Sequence, residues 1–358
     1  MSQTLQEMQT SQGAEFGEVA GARGIVSFGN DPEAIQAARS SVAVVDRSLW
    51  GLLQVTGDDR IRYLHNQSTN DFYSLKAGQG CETVFVTSTA RTIDLVTAYI
   101  LEDGVWLFVS PQRRKALLSW LDRYIFGADR VELADITDTY CIFTLLGPKS
   151  HAVLEQLAGV NWQTQPPVSH AMLSLAGVEG RVAVGTGLAL EGYTLMVPAD
   201  GAAKVWGEIV AMGTVPLGDR AWEQLRIEQG RPAPDSELTE DYNPLEAGLW
   251  HTISFSKGCY IGQETIARLN TYQGVKQQLW GVRLDRKPPI PSLLMVDGDR
   301  VGKLTSLTET ADGLMALGYI RTKAGGAGLK VQVVAEVGNA PCAEGVLIDL
   351  PFVTRVPQ

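Results

Sequence analysis

53-LQVTGDDRIRYL-64 and 143-FTLLGPKSHAVL-154 read as one pattern written twice: an apolar strand, a glycine, then a helix with a leucine seven residues past that glycine. A second pair, 102-EDGVWLFVSP-111 and 190-LEGYTLMVPA-199, reads as an alternating strand running into a helix. Ser110 and Asp200 are expected to cap these two helices. The offsets are 90 residues (Gly57 to Gly147) and 88 residues (Gly104 to Gly192). Two independent segments sharing nearly one offset point to a duplicated α+β unit.

Working outward, 84-VFVTS-88 and 93-IDLVTAYIL-101 read as further strands of the first copy. The helix predicted over 112–126 would bury Leu117, Leu121, Tyr124 and Ile125, and 204-KVWGEIVAMG-213 would bury Val205, Trp206, Ile209 and Val210. A helix over 219–230 precedes the proline-rich loop 231-RPAPDSELTEDYNP-244. From about residue 276 the helical period disappears. The stretches 279-LWGVRL-284, 301-VGKLTS-306, 314-LMALGYI-320 and 329-LKVQVVAEV-337 alternate with turn residues, as in a small antiparallel β-barrel. The expected fold class is α+β. Its parts are an irregular arm over 1–29, a first lobe over 30–136, a second over 137–275 and a barrel over 276–358.

The chain has 358 residues, 45% hydrophobic and 20% charged, with a net charge of -10. That balance supplies full cores and argues against general DNA binding, which needs many cations against phosphates. No uncharged apolar run approaches the ~18–20 residues of a membrane span. Four scattered cysteines and four histidines without metal spacing argue against a disulfide framework or a zinc site, and a cytoplasmic location is expected.

The segment that carries chemistry is 257-KGCYIGQETIAR-268. Gly258 and Gly262 flank Cys259, and a helix is expected to begin near Gln263, with Glu264 beside it. A helix N-terminus and Lys257, with Arg268 if it folds back, would make the Cys259 thiol reactive. The competing reading is a small cysteine filling a tight loop. Lys257, Arg268, Lys276, Arg283, Arg286 and Lys287 against Glu264 and Asp285 give +4 over 257–287. Such a segment suits either an anionic ligand or a solvated basic face.

KGCYIGQE followed by an arginine resembles the signature of the folate-binding YgfZ proteins, relatives of the glycine-cleavage T-protein. The stretches 45-VDRSLWGLLQVTGDDRIRYLHNQSTND-71, 225-LRIEQGRP-232 and 302-GKLTS-306 are similar to T-protein segments and come in the same order. The resemblance implies two related α+β lobes plus a barrel, with tetrahydrofolate as cofactor in a central opening. It also implies support of iron–sulfur proteins, among them those that thiolate tRNA, with the motif cysteine, here Cys259, as the residue that activity needs. Partners would be iron–sulfur enzymes or assembly proteins.

The match departs in two places. The family's "GG-x-x-DD" strand is 90-ARTIDLV-96 here, with Asp94 alone, and the acidic residue expected after Gly192-Tyr193 is Thr194. Folate contacts are expected from Asp94, Tyr193, Arg226, Gln263, Glu264 and Arg268, with Cys259 and Lys257 as the catalytic pair. Arg226 also reads as an i,i+3 partner of Glu223, Tyr193 as a core residue, and His65 and His251 as packed or solvated. Trp222 and Trp250 are candidates to line a cavity. The alternatives are a tetrahydrofolate-dependent aminomethyltransferase or demethylase, and a binding module without folate.

Overall fold

A computed structural model describes residues 4–336 and 340–356. Val337, the last residue of the stretch quoted as a strand, lies outside them. By contacts the chain forms two units, one of residues 1–64, 72–82 and 96–222, the other of residues 65–71, 83–95 and 223–358.

The first unit holds the duplication. The strand Gly51–Thr56 pairs antiparallel with Gly104–Val109, and Tyr140–Leu146 pairs antiparallel with Gly192–Pro198. The registers correspond: Thr56 faces Gly104, and Leu146 faces Gly192. Gly57 and Gly147 follow at φ +94 and +118. A Cβ at either would collide with backbone, of Arg130 in one case and Ser41 in the other, so both turns need glycine. Strand order is Gly80–Val86, Thr92–Ile100, Gly104–Val109, Gly51–Thr56, Glu132–Asp135 in the first copy's sheet. In the other it is His170–Leu175, Val178–Val184, Gly192–Pro198, Tyr140–Leu146, Ala43–Asp46, Val215–Leu217. Ala43–Asp46 comes from the stretch before the first copy, yet completes the second copy's sheet by pairing with Tyr140–Leu146.

The helix Ala202–Ala211 buries Val205, Trp206 and Ile209, and Trp206 packs on Phe143 at 5.2 Å between ring centres. Its N-cap is Gly201, without a side-chain bond, in place of Asp200. Ser110 caps only a short turn, Pro111–Arg113, and likewise makes no capping bond. The helix proper, Arg114–Asp122, ends before Tyr124 and Ile125, which are half-buried beyond it.

Residues 1–29 are a correction. They form the helix Leu5–Ser11, with a Thr4–Glu7 capping box, and the hairpin Glu15–Val19 with Ala22–Ser27. Gln9 Nε2 donates to Asp46 at 2.7 Å, and Gln12 accepts from Trp206 Nε1 at 2.8 Å. A seven-residue helix and a half-exposed hairpin carry too few apolar positions for periodicity to reveal them.

The second unit contains a closed six-stranded barrel, in the order Gln277–Leu284, Gly313–Arg321, Asp299–Thr310, Ser292–Val296, Lys330–Ala335, Pro341–Ile348. Its core is aliphatic, with Leu294, Leu304, Ala316 and Val333 fully buried. Closure pairs the first strand with the last and leaves no free sheet edge.

Candidate functional site

Within the second unit, the loop 257–263 lies against the segment 65–71. Lys257 is buried, and its ammonium donates to the carbonyls of His65, Ser68 (2.7 Å) and Asn70 (2.7 Å) and sits 4.7 Å over the Tyr260 ring. Those carbonyls lie where the helix Arg60–Gln67 ends, which is where a cation is favoured. Lys257 was expected to serve the thiol; its ammonium instead satisfies main-chain carbonyls. Lys257→Met is expected to lower stability by about 2 kcal/mol, because buried acceptors lose a charged donor. A denaturant midpoint unchanged from wild type would contradict this.

The rest of the motif is also committed. Tyr260 is buried among Leu245, Trp250 and Ile266. The Ile261 amide donates to the Asn66 carbonyl at 3.1 Å. Gly262 sits at φ +80, and a Cβ there would come within 2.8 Å of the Thr87 carbonyl. Gln263 Nε2 donates to the carbonyls of Gly258 (3.3 Å) and Lys257 (3.5 Å), closing the loop. The helix Gln263–Thr271 begins at the expected residue. Cys259, with Gly258, is exposed, and its thiol is free.

His65 is the residue that sequence reading passed over. Its ring is buried, and Nδ1 lies 3.2 Å from Asp71 Oδ1. Nε2 faces Gly258: a methyl placed on that glycine would lie 3.9 Å from it. Burial and the Lys257 ammonium lower the His65 pKa, and Asp71 works in the opposite direction. The ring is therefore neutral near pH 7. The six-residue spacing to Asp71 in 65-HNQSTND-71 was the available signal, visible only once the segment folds back.

The remaining nominated residues fall elsewhere. Glu264 and Arg268 pair with each other at 2.6 Å on an exposed helix face, so Arg268 does not fold back to the thiol. Arg286 pairs with Asp285 and Lys287 with Glu309, which disperses the local positive charge. Asp94 is fully buried in the strand Thr92–Ile100. Arg226 is buried between Glu223 and Glu237 and donates to Ser306 at 3.0 Å. It is therefore an ion-pair centre, and its guanidinium does not fit a role as a folate grip.

Tyr193 belongs to the first unit's core with Phe143 and Leu145. Thr194 donates internally to the Gly185 carbonyl at 2.9 Å. Trp222 packs edge-on against Trp50, with the Arg47 guanidinium 4.4 Å over its ring. Trp250 donates Nε1 to the Leu245 carbonyl. His251 accepts or donates at Nδ1 to Thr354, 3.0 Å away.

This chain belongs to the GCVT N-terminal domain family, which matches residues 5–257. It is 45% identical to the Arabidopsis thaliana protein named "Putative transferase At1g60990, chloroplastic", over 92% of this chain and 76% of that one. It is 28% identical to an aminomethyltransferase of Symbiobacterium thermophilum, over 97% and 96% of the two chains. Among solved structures it resembles the glycine cleavage system aminomethyltransferase T from Bartonella henselae, with a TM-score of 0.86 at 20% identity, over 99% and 98% of the chains. That likeness establishes the fold: two related lobes and a closed antiparallel barrel. No helix among the described residues is long and apolar enough to cross a membrane.

Proposed function

We propose that this chain is a folate-binding, YgfZ-type branch of its family in which Cys259 is the working group. Its role would be to support assembly or repair of iron–sulfur clusters in the cytoplasm, with tRNA thiolation affected through the enzymes it serves. One observation carries the reading. Lys257, Tyr260, Ile261, Gly262 and Gln263 are all spent on holding one loop, and the side chain that loop presents to solvent is a thiol. A cysteine that merely filled space would be covered. One thiolate supplies one of the four ligands a cluster usually takes, so the partners are iron–sulfur enzymes or assembly proteins that bring the rest.

Tetrahydrofolate enters as the ligand that family membership suggests. Of the nominated residues, Asp94 has the chemistry to receive pterin N–H donors, whereas Arg226 and Tyr193 are occupied within the fold. Titrating tetrahydrofolate calorimetrically into wild type and Asp94→Asn is expected to give heat that the variant loses.

A second reading is tetrahydrofolate-dependent aminomethyl transfer or demethylation. It is favoured by aminomethyltransferases matching over nearly their whole length. It predicts turnover of an amine substrate that depends on Asp94. The absence of any heat with folate would leave a binding module without folate, as the internal bonding of Thr194 suggests.

The iron–sulfur reading is tested in cells lacking the chain. Wild type is expected to restore iron–sulfur enzyme activity and Cys259→Ala to leave it near the level of the empty vector. Full recovery with the alanine variant would end the proposal.

A further inference from the structure

The geometry points to His65, positioned by Asp71, as the proton acceptor of the Cys259 thiol. The inference deepens the reading of Cys259 as the working group and rests on it. The ring is held on one side: Nδ1 lies 3.2 Å from the Asp71 carboxylate, and a neutral imidazole that donates there carries its lone pair on Nε2. On the other side, Nε2 is the one atom within 4 Å of a methyl built on Gly258, apart from the adjoining residues. The acceptor nitrogen thus faces the backbone one residue before the thiol. Gly258 leaves that face of the ring clear, and any side chain there would stand between imidazole and loop.

The charged groups that face the ring are Asp71, from its own segment, and Lys257, whose ammonium binds the His65 carbonyl. The loop is pinned at Lys257, Tyr260 and Gln263, so Cys259 is carried at a fixed place beside the ring. In the step, the Cys259 S–H bond breaks, the proton goes to His65 Nε2, and the electron pair stays on sulfur. The imidazolium so formed keeps its Nδ1–H on Asp71, whose negative charge compensates it. His65 is the catalytic residue of this step and Asp71 a positioning residue.

The test is the pH profile of iodoacetamide alkylation between pH 6.5 and 10, followed by mass spectrometry on the peptide carrying Cys259. Wild type is compared with His65→Gln and Asp71→Asn, with circular dichroism to verify folding. At pH 6.5, His65→Gln is expected to react about tenfold more slowly than wild type, converging with it by pH 10, where the thiol ionises unaided. Asp71→Asn is expected to shift in the same direction by a smaller factor. A merely structural His65 would leave the profiles superimposable, and that result overturns the proposal. If His65→Gln fails to fold, Asp71→Asn decides alone, and an unshifted profile overturns it. Because alkylation is read on purified protein, a failed relay and a failed iron–sulfur role are separable: Cys259→Ala can still fail in cells when the profiles coincide.

Discussion

Replacing Glu237 by leucine is expected to destabilise the protein by about 3–5 kcal/mol, the usual result of stripping one partner from a buried ion pair. The carboxylate has no exposure to solvent. It accepts from Arg226 Nη1 at 3.0 Å, from the Ala233 amide at 3.0 Å, and from the hydroxyls of Thr305 and Ser306 at 2.6 Å each. Burial works against the charge on Arg226, but Glu237 and Glu223 outweigh it and raise the guanidinium pKa. With leucine at 237, Glu223 remains as a partner, but it is half-exposed. Four donors lose their acceptor at once. Glu237→Gln, which keeps acceptor geometry without the charge, should recover part of the loss. Chemical denaturation measures both variants; a loss below about 1 kcal/mol for the leucine variant would show that the network contributes little.

Acid should weaken the fold through His170. Burial first, then the Arg181 guanidinium, push its pKa down to about 4, against opposing bonds to the Gln79 and Ile100 carbonyls. Arg181 Nη1 donates to Nδ1 at 2.8 Å, and Nε2 lies 3.1 Å from the Gln79 carbonyl. Protonating Nδ1 would set two donors face to face. The unfolded chain titrates near 6.5, so between pH 6.5 and 4 it binds more protons than the folded chain, and stability falls as pH falls. Over that window this one group accounts for about 3 kcal/mol, fully present as stability above pH 6.5. Unfolding midpoints across the window should therefore decline in wild type and decline less in His170→Gln. Parallel curves for the two proteins would refute the assignment.

Much of the architecture was legible because repetition is a property of spacing. Gly57 and Gly147 mark equivalent turns, and the paired strands meet in the same register. What spacing could not reveal was exchange: Ala43–Asp46 precedes the first copy in sequence yet lies in the second copy's sheet. Short segments escaped for a related reason. Ser292–Val296 and Pro341–Ile348 complete the barrel, but five apolar residues or a Gly- and Pro-containing run carry little period of their own.

At the site, Cys259 and the start of the helix at Gln263 were readable from local chemistry, since a glycine-flanked turn before a helix is a local feature. The Glu223–Arg226 contact was readable from helical spacing. Lys257 was misjudged because a lysine next to a cysteine in sequence need not direct its ammonium at the thiol; four methylenes let it reach carbonyls instead. Glu237 and His65 were invisible for the opposite reason. Each acquires its role from residues distant in sequence: Thr305 and Ser306 for one, Gly258 for the other.

The strand Asp299–Thr310 shifts register between Leu304 and Ser306, leaving Thr305 as a surplus residue. In a regular strand, neighbouring hydroxyls would point to opposite faces; the bulge turns both toward one carboxylate oxygen. This makes the strand's residue count as binding as its composition. Deleting Thr305 would restore an ideal pleat and, with it, rotate Ser306 out of reach, so here a more regular sheet would mean a less secure protein.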